Sequence, residues 1–283
     1  MTLPTFVGVG GMKCATTWLA ECLRGHPQVF LSAKKEVEFF SRSWERGLDW
    51  YEKQFRDAQG ALAVGEFSVS YLTHPEAPRR IFDTLGRVRI VVSLRDPIDR
   101  FVSHYKHYIR NRKLPLPEYE TLDVATLRRA IDFQPELFEN GRYARGLARY
   151  FEHFGKGAVH VIRKETIDRT PERALRDLFR FLGVSEEHRP RLAARRVSGG
   201  IVPRLPALER LRISTYRFAE RHCPGLIVMS RKSGVGELYR RFNNRRGLPR
   251  VELEARRELS CLYRDEVSEL EALLGERLGW GAD

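Results

Sequence analysis

Short apolar runs alternate with amphipathic stretches over the first two thirds of the chain. Five runs rich in apolar residues have the length of buried strands: 6–10, 29–31, 61–66, 88–94 and 159–162. Between them, the leucines and aromatic residues of 16–24 and 171–182 recur at the spacing of a helix face. Strands that alternate with helices predict an α/β fold with a largely parallel sheet.

Capping residues mark the ends of several predicted helices. Asp96 and Pro97 follow the run at 88–94 and match an N-cap with proline at the first helical position. Thr170 and Pro171 open another helix, and Gly183 ends it. Leucines also recur at helical spacing over 251–274. Since no internal repeat or low-complexity linker divides the chain, we expect one domain over residues 1–283.

Composition narrows the class of protein. The 283 residues are 42% hydrophobic, which is enough for a sizeable core and excludes global disorder. Lysine and arginine number 50 against 37 aspartates and glutamates, so the net charge is +13. Such an excess suits nucleic acid, an anionic membrane surface or a small polyanion. Seven arginines lie between Arg240 and Arg257, and we interpret most of them as a solvated helix face.

Targeting and metal signals are weak. No apolar run approaches the ~20 residues that cross a bilayer, and no basic segment precedes the short hydrophobic stretch near the N-terminus. The four cysteines show neither C-x-x-C pairing nor zinc-ligand spacing. We therefore expect a cytoplasmic protein with reduced thiols.

The sharpest chemical signal is the loop between the first strand and the first helix, Gly10-Gly11-Met12-Lys13-Cys14-Ala15-Thr16-Thr17. Small residues let main-chain N–H groups form a nest, the helix N-terminus adds partial positive charge, and Lys13 adds a full one, so the loop suits a phosphate. A Walker A loop has glycine before its lysine and a magnesium-binding hydroxyl after it, where this chain has Met12 and Cys14. This favours a phosphate-bearing donor held without metal. An ordinary turn with a solvated lysine is the alternative.

A second candidate lies where the run at 88–94 ends. Arg95 stands at the carboxyl end of a predicted strand, where open α/β sheets bind ligands, and Ser103 lies about two helical turns further on. An arginine fork and a hydroxyl suit a second phosphate, remote from the first. The alternative is a local ion pair between Arg95 and Asp96, with Ser103 on the surface.

A third candidate is Lys34-Lys35-Glu36-Val37-Glu38-Phe39-Phe40. Two lysines beside a glutamate, next to a pair of phenylalanines, can hold the Glu36 carboxylate in a partly desolvated pocket, where it acts as a general base. On a loop surface the same residues are solvated charge.

Taken together, the three segments resemble the sulfotransferases that use 3′-phosphoadenosine 5′-phosphosulfate (PAPS), most closely the heparan sulfate sulfotransferases and their bacterial relatives. Residues 13–17 are similar to the family's 5′-phosphosulfate loop, K-x-G-T-T. Residues 95–105 are similar to its 3′-phosphate element, R-x-P-x-x-R-x-x-S-x-Y. Residues 35–40 are similar to its K-E-x-x-F-F segment, whose first glutamate, Glu36 here, is the catalytic base.

This resemblance implies a P-loop-like three-layer fold with a central, mainly parallel sheet flanked by helices. It implies in-line transfer of a sulfuryl group from PAPS to a hydroxyl or amine, with 3′-phosphoadenosine 5′-phosphate (PAP) as product and no metal requirement. The acceptor is expected to be a small molecule, a carbohydrate or a glycolipid, with a membrane surface involved only for a lipid acceptor.

The resemblance also assigns site residues. The catalytic residues are Glu36 and Lys13. The donor-binding residues are Lys13, Cys14, Ala15, Thr16, Thr17, Arg95, Ser103 and, by similarity to a late cofactor loop, Arg245 and Arg246. The acceptor-binding residues are Lys35, Glu66 and Tyr71. Residues 184–250 are expected to form an irregular cap over the donor and acceptor sites.

Two departures limit what the resemblance implies. Ala15 replaces the loop glycine, which a loop with ordinary dihedral angles tolerates. Phe67 follows Glu66 where the heparan sulfate enzymes have a lysine implicated in binding the acidic sugar, so a heparan-like acceptor is not implied. A P-loop nucleotide kinase and a basic nucleic-acid-binding protein stay open as alternatives, although no RNP, KH or zinc-finger signature supports the second.

Overall fold

The computed structural model describes residues 3–58, 60–111, 113–114, 118–190, 201–203, 244–246 and 249–281. The strands, in chain order, are β1 (Phe6–Gly8), β2 (Val29–Leu31), β3 (Ala63–Phe67), β4 (Arg89–Leu94), β5 (Thr121–Leu122), β6 (Val159–Arg163), β7 (Ile201–Pro203), β8 (Asn244–Arg246) and β9 (Arg250–Val251). The α-helices are α1 (Thr16–Arg24), α2 (Leu48–Glu52), α3 (Ala77–Leu85), α4 (Pro97–Arg110), α5 (Val124–Phe133), α6 (Glu136–Glu139), α7 (Ala144–Phe154), α8 (Lys164–Arg169), α9 (Pro171–Leu182) and α10 (Leu253–Leu274).

Five strands form a fully parallel sheet in the order β2-β3-β1-β4-β6. Phe6 of β1 is in register with Gly65 of β3 on one side and with Arg89 of β4 on the other. Because all five strands run the same way, the loops that follow β1, β2 and β4 leave the sheet at one edge, its carboxyl edge.

Alternate side chains of the strands enter opposite halves of the core. Phe6 and Val91 pack with residues of α1 and α9 on one face of the sheet. Val7 and Ile90 pack with residues of α3 and α7 on the other. Helices therefore cover both faces, and the predicted α/β fold with a central parallel sheet is confirmed.

A third apolar cluster joins α4, α5 and α10 beside the sheet. Arg100 of α4, which matches the second arginine of the R-x-P-x-x-R pattern, is fully buried in it. Its guanidinium donates to the carbonyl of Leu137 and, at 3.5 Å, to the hydroxyl of Tyr263. Arg100 thus packs α4 against its neighbouring helices.

Local signals gave accurate element bounds. The predicted helix at 16–24 and strand at 29–31 have those bounds in the structure, and Gly183 ends α9 in a left-handed conformation. The strand predicted at 61–66 covers Ala63–Phe67, and its pairing with β2 begins with Val29 opposite Ala63. Most of 184–250 lies outside the described residues, so the cap and the single domain stay predictions.

Candidate active site at the carboxyl edge of the sheet

The segment after β1, residues 10–17 and hereafter the Lys13 loop, lies directly against β4. The N–H of Gly11 donates to the carbonyl of Ser93 at 2.7 Å, and the Ser93 hydroxyl donates to the carbonyl of Cys14. A Cβ at Gly10 would stand 2.7 Å from the nitrogen of Ser93, so this close approach requires glycine. Main-chain contacts with the sheet therefore fix the loop.

Two residues of the Lys13 loop have left-handed backbone conformations, Lys13 with φ 70° and Ala15 with φ 65°. The condition under which the loop was expected to tolerate Ala15, ordinary dihedral angles, is therefore not met. Ala15 directly precedes α1, whose first turn contains no acidic residue. The first N–H groups of a helix lack intrahelical partners and carry partial positive charge, so this turn can receive an anion. Thr17 is exposed there, whereas Thr16 is buried.

Lys13 is surrounded by positive charge. Burial, followed by the nearby Arg110, Arg95 and Lys35, lowers the pKa of Lys13 to about 8. Among the described residues, no carboxylate lies within ion-pair distance of its ammonium group. Lys35 and Arg95 are paired with Glu36 and Asp99, but Lys13 itself has no such partner in the described ranges, so its positive neighbours repel it and a bound polyanion would relieve that repulsion.

Cys14 was expected among the donor-binding residues, but its side chain is turned inward. The thiol is fully buried, 3.7 Å from the hydroxyl of Tyr143, and burial raises its pKa to about 11. Tyr143 in turn donates to the carbonyl of Arg95 at 3.0 Å. The Cys14 side chain therefore ties the Lys13 loop to the start of the second candidate segment, and the main chain of Cys14 is also bonded within the protein, its N–H to the carbonyl of Gly11 at 3.3 Å and its carbonyl to the hydroxyl of Ser93.

Arg95 and Ser103 lie on one side of α4. The Arg95 guanidinium is 3.6 Å from the carboxylate of Asp99, and Ser103, half-buried, is one turn beyond Asp99 on the same helix face. The alternative ion pair between Arg95 and Asp96 is wrong. Asp96 caps α4 instead. Its carboxylate accepts from the N–H of Ile98 at 2.8 Å and from the N–H of Asp99 at 3.2 Å.

Arg256 of α10 is a further cation at this position. Its guanidinium donates to Asp99 at 2.9 Å, so two arginines share one aspartate and leave a net positive charge beside Ser103. Sequence reasoning placed Arg256 in the solvated arginine run. The arginine run is visible in the sequence, but no residue near Arg256 in the sequence connects it with Asp99, 157 positions earlier.

The two late arginines lie on a strand whose partner, β7, is beside α4. Arg245 and Arg246 belong to β8, which pairs antiparallel with β7, and the backbone of β7 lies beside α4. Their side chains lie outside the described residues, so their role as donor ligands stays a prediction.

The segment after β2, residues 34–40 and hereafter the Glu36 segment, is held by side chains. Glu36 has φ 63° and its N–H donates to the carbonyl of Phe67 at 2.9 Å. One oxygen of its carboxylate accepts from the N–H of Val69 at 2.7 Å, and the other forms an ion pair with Lys35. The side chain is still 30% exposed. This partly desolvated carboxylate therefore has lone pairs open to solvent, as a proton acceptor requires.

Aromatic rings form the floor under the Glu36 segment. Phe39 and Phe40 are buried, and Phe39 stacks on Tyr51 with ring centroids 4.5 Å apart. These contacts bury the phenylalanine pair in the core, and its effect on the Glu36 carboxylate stays a prediction. Lys35, expected to contact the acceptor, is bound to Glu36 instead, with 22% of its side chain exposed.

Glu66 and Tyr71 were also expected to contact the acceptor, and the structure contradicts this. Both side chains are fully buried, and the Tyr71 hydroxyl donates to the Glu66 carboxylate at 2.8 Å. Buried groups that bond to each other under the Glu36 segment have no face toward a ligand.

Two kinds of feature are absent from the described part of the chain. No group of three or more histidine, cysteine, aspartate and glutamate side chains is arranged to hold a metal ion there. No helix in those ranges combines the length and apolar character that a membrane span needs. The three cysteines in the described ranges, Cys14, Cys22 and Cys261, are free thiols.

Comparison with known proteins gives relatives over most of this region. A solved structure of a sulfotransferase from Alicyclobacillus acidocaldarius superimposes with a TM-score of 0.71 at 27% identity, covering 99% of this chain and 98% of that one. The heparan sulfate glucosamine 3-O-sulfotransferase 3A1 of Mus musculus is 32% identical over 184 residues, 64% of this chain and 46% of that protein. A membrane-associated sulfotransferase of Dictyostelium discoideum, kil1, is 33% identical over 125 residues, 42% of this chain and 26% of that protein.

These comparisons cover the segments that carry the candidate site. The aligned regions are less than half the length of the two curated relatives. The sulfotransferase domain family matches residues 5–197, a range that contains the Lys13 loop, the Glu36 segment and α4. The chain belongs to the sulfotransferase domain family.

Proposed function

We propose that the protein transfers a sulfuryl group from PAPS to an acceptor hydroxyl or amine and releases PAP. The observation that carries this proposal is the placement of two cationic sites at the ends of adjacent strands. The Lys13 loop follows β1, Arg95 follows β4, and Glu36 lies at the same edge of the sheet after β2. A donor with phosphates at both ends of a nucleoside, and a reacting sulfur at one of them, matches this arrangement.

The residues present fit such a donor. Lys13 and the N–H groups of Thr16 and Thr17 at the start of α1 would hold the 5′-phosphosulfate, since both favour negative charge. Arg95 and Ser103 would hold the 3′-phosphate, with Arg256 adding charge from α10. Binding energy gained at the 3′ end fixes the donor's orientation far from the reacting sulfur.

The chemical step then needs a base, a cation and alignment. Glu36 would accept the proton of the acceptor as a new bond forms between the acceptor atom and sulfur. The bond between sulfur and the 5′-phosphate oxygen breaks on the opposite side, and Lys13 would neutralise the charge that grows on that oxygen. As in phosphoryl transfer, positioning and charge stabilisation lower the barrier without a covalent intermediate on the protein.

For the acceptor we propose a hydroxyl or amine of a carbohydrate, a glycolipid or a small molecule. Phe67, which stands where the heparan sulfate enzymes have lysine, is fully buried and packs edge-on against Phe6 at a centroid distance of 6.5 Å. This position therefore offers no cation to an acidic sugar, which supports an acceptor unlike heparan sulfate.

A turnover screen tests the function. The purified protein is incubated with PAPS labelled in its sulfuryl group and with acceptors of the three classes, and label transfer is measured with and without magnesium. We expect transfer to at least one class and tighter binding of PAP than of ATP by calorimetry. ATP that binds better than PAP and only with magnesium would support the kinase alternative. Neither transfer nor PAP binding would overturn the proposal.

A further inference from the structure

A buried carboxylate without a cationic partner lies beneath the Glu36 segment. Glu66, in β3, is fully buried, and no described lysine, arginine or histidine is within ion-pair distance of it. Three hydroxyls donate to it instead: Tyr51 at 3.0 Å and Tyr71 at 2.8 Å to one oxygen, and Ser68 at 2.7 Å to the other. Burying a charge in this way is costly, so its retention calls for an explanation.

Two of these hydroxyls also form hydrogen bonds with the main chain of the Glu36 segment. The Ser68 hydroxyl accepts from the N–H of Glu38 at 2.9 Å, and the Tyr71 hydroxyl accepts from the N–H of Phe40 at 3.3 Å. A hydroxyl has one hydrogen to donate, and both hydroxyls donate it to the carboxylate of Glu66. The oxygen lone pairs are thereby left facing the Glu36 segment.

The Glu36 segment needs such support because its backbone is strained. Glu36 and Glu38 have φ values of 63° and 57°, in the left-handed region that is strained for a non-glycine residue. The N–H groups of alternate residues, Glu36, Glu38 and Phe40, all bond to the stretch from 67 to 71, the last two through the hydroxyls that Glu66 orients.

We propose that Glu66 is a positioning residue, whose ionised carboxylate orients the Ser68 and Tyr71 hydroxyls so that they hold the segment bearing Glu36 in its left-handed conformation. The catalytic consequence rests on the proposed function, in which Glu36 is the base. The structural consequence does not. Glu66 itself touches neither donor nor acceptor.

The proton on Glu66 controls this arrangement. Burial, opposed by its three hydrogen bonds and assisted by the charge of Glu36, raises the pKa of Glu66 to about 7. The titratable groups that face it are Tyr51 of α2, Tyr71 after β3, Tyr150 of α7 and Glu36 after β2. A protonated carboxyl becomes a donor and gives up one acceptor position. The Glu36 segment is therefore held more firmly as pH rises through about 7.

Two tyrosines provide a matched test. Tyr71 and Tyr51 are both fully buried and donate to the same Glu66 oxygen, but only the Tyr71 hydroxyl also accepts from the Glu36 segment among the described contacts. In Tyr71→Phe, hydrogen exchange of the peptide 36–41 should accelerate about tenfold and kcat should fall by a similar factor with PAP affinity unchanged. At pH 9, where Glu66 stays ionised even though the loss of one hydrogen bond raises its pKa, both should stay within about twofold of wild type in Tyr51→Phe, and Tyr71→Phe is compared at the same pH. Equal effects in the two variants would overturn the proposal.

A second pair of variants tests the charge. In wild type, protection of the peptide 36–41, corrected for intrinsic exchange, should rise between pH 6 and 8; in Glu66→Gln it should be weaker and flat. Glu266→Gln is the control, since Glu266 is a buried carboxylate of α10 that accepts from the N–H of Ala144, away from this segment. Ser68→Ala, which removes the other hydroxyl, should also weaken protection. Unchanged protection in Glu66→Gln at pH 8 would refute the role of the charge.

Because exchange is measured without turnover, these results are independent of the proposed function. A chain that transfers no sulfuryl group but shows the expected exchange pattern would leave the positioning role intact. A chain with normal sulfuryl transfer and identical exchange in all variants would remove that role alone.

Discussion

The Lys13 loop and the Glu36 segment lie at the same edge of the sheet, and each has two non-glycine residues in left-handed conformations. They are held in opposite ways. The Lys13 loop bonds to β4 through its main chain, and its ammonium group faces no described carboxylate. In the Glu36 segment the functional side chain is itself anchored, to the N–H of Val69 and to Lys35, above the hydroxyls that Glu66 orients.

The difference follows from what each group does. A site for an anion must leave its cation and the N–H groups that face the ligand unpaired, so the Lys13 loop is held by other groups: the N–H of Gly11, the carbonyl of Cys14 and the buried Cys14 thiol. A base must keep one lone pair aimed at a proton, so its carboxylate is fixed by bonds to its other lone pairs. Changes in the Lys13 loop should therefore affect donor binding, and changes in the Glu36 segment should affect turnover.

The largest expected effect is on turnover. Glu36→Gln should lower kcat about 10²- to 10⁴-fold, because the proton acceptor is lost, while PAP affinity stays at the wild-type value. Glu38→Gln is the control: Glu38 shares the left-handed backbone but pairs with Arg42 at 3.4 Å. Steady-state kinetics and calorimetry measure both. Equal losses in the two variants would mean that the segment's fold matters and the Glu36 base does not.

The second-largest expected effect is on donor binding. Arg95→Ala should weaken PAP binding about 10- to 100-fold, since a hydrogen bond to a charged group contributes about 1.5–3 kcal/mol. Arg173→Ala is a matched control, because Arg173 also pairs with an aspartate four residues later, at 3.8 Å against 3.6 Å for Arg95. Calorimetry gives both affinities. Unchanged affinity in Arg95→Ala would remove this residue from the donor site.

A smaller effect is the pH dependence of donor binding. Lys13 has a pKa of about 8, below its usual value, so its charge is present at pH 7 and is lost as pH rises through 8. PAP affinity should then fall about tenfold between pH 7 and pH 9. Burial is the largest of the causes that lower the pKa of His107 to about 4, so this neighbour of Lys13 does not titrate between pH 7 and pH 9. Lys13→Arg, whose charge persists, should bind PAP with the same affinity at both pH values; a parallel decline there would assign the effect to another group.

The smallest effect concerns the strain in the Lys13 loop. Ala15 has φ 65° and ψ 15°, so Ala15→Gly should raise the free energy of unfolding by about 1 kcal/mol. Ala20→Gly, inside α1, should lower it by about 1 kcal/mol, because glycine costs entropy in an ordinary helix. Urea unfolding measures both. A loss of stability in Ala15→Gly would show that the loop is not strained at this position.

The sequence alone was sufficient for the elements of the sheet and for the chemistry of its loops. Helix α1 and strand β2 were predicted with their observed bounds, because hydrophobic periodicity and chain-breaking residues act over a few positions. Lys13 and Arg95 were placed at strand ends by the same local pattern. Their proximity follows from the parallel sheet, in which adjacent strands end at one edge.

The surroundings of individual side chains depend on tertiary packing and were not predicted from the sequence. Glu66 and Tyr71 have the residue types of an acceptor site, and only the fold shows that both are buried beneath the Glu36 segment. Cys14 follows Lys13 in the sequence, but its thiol faces Tyr143, 129 positions away.

The sequence by itself determined the α/β fold, the three chemical segments and the family that they resemble. Tertiary structure alone decided which side chains reach the site, adding Arg256 through Asp99 and turning Cys14 inward. It also decided that Glu66 supports the Glu36 segment from below. The physical reason is range: helix and strand periods are set by neighbouring residues, whereas burial and long-range hydrogen bonds exist only once distant elements have packed.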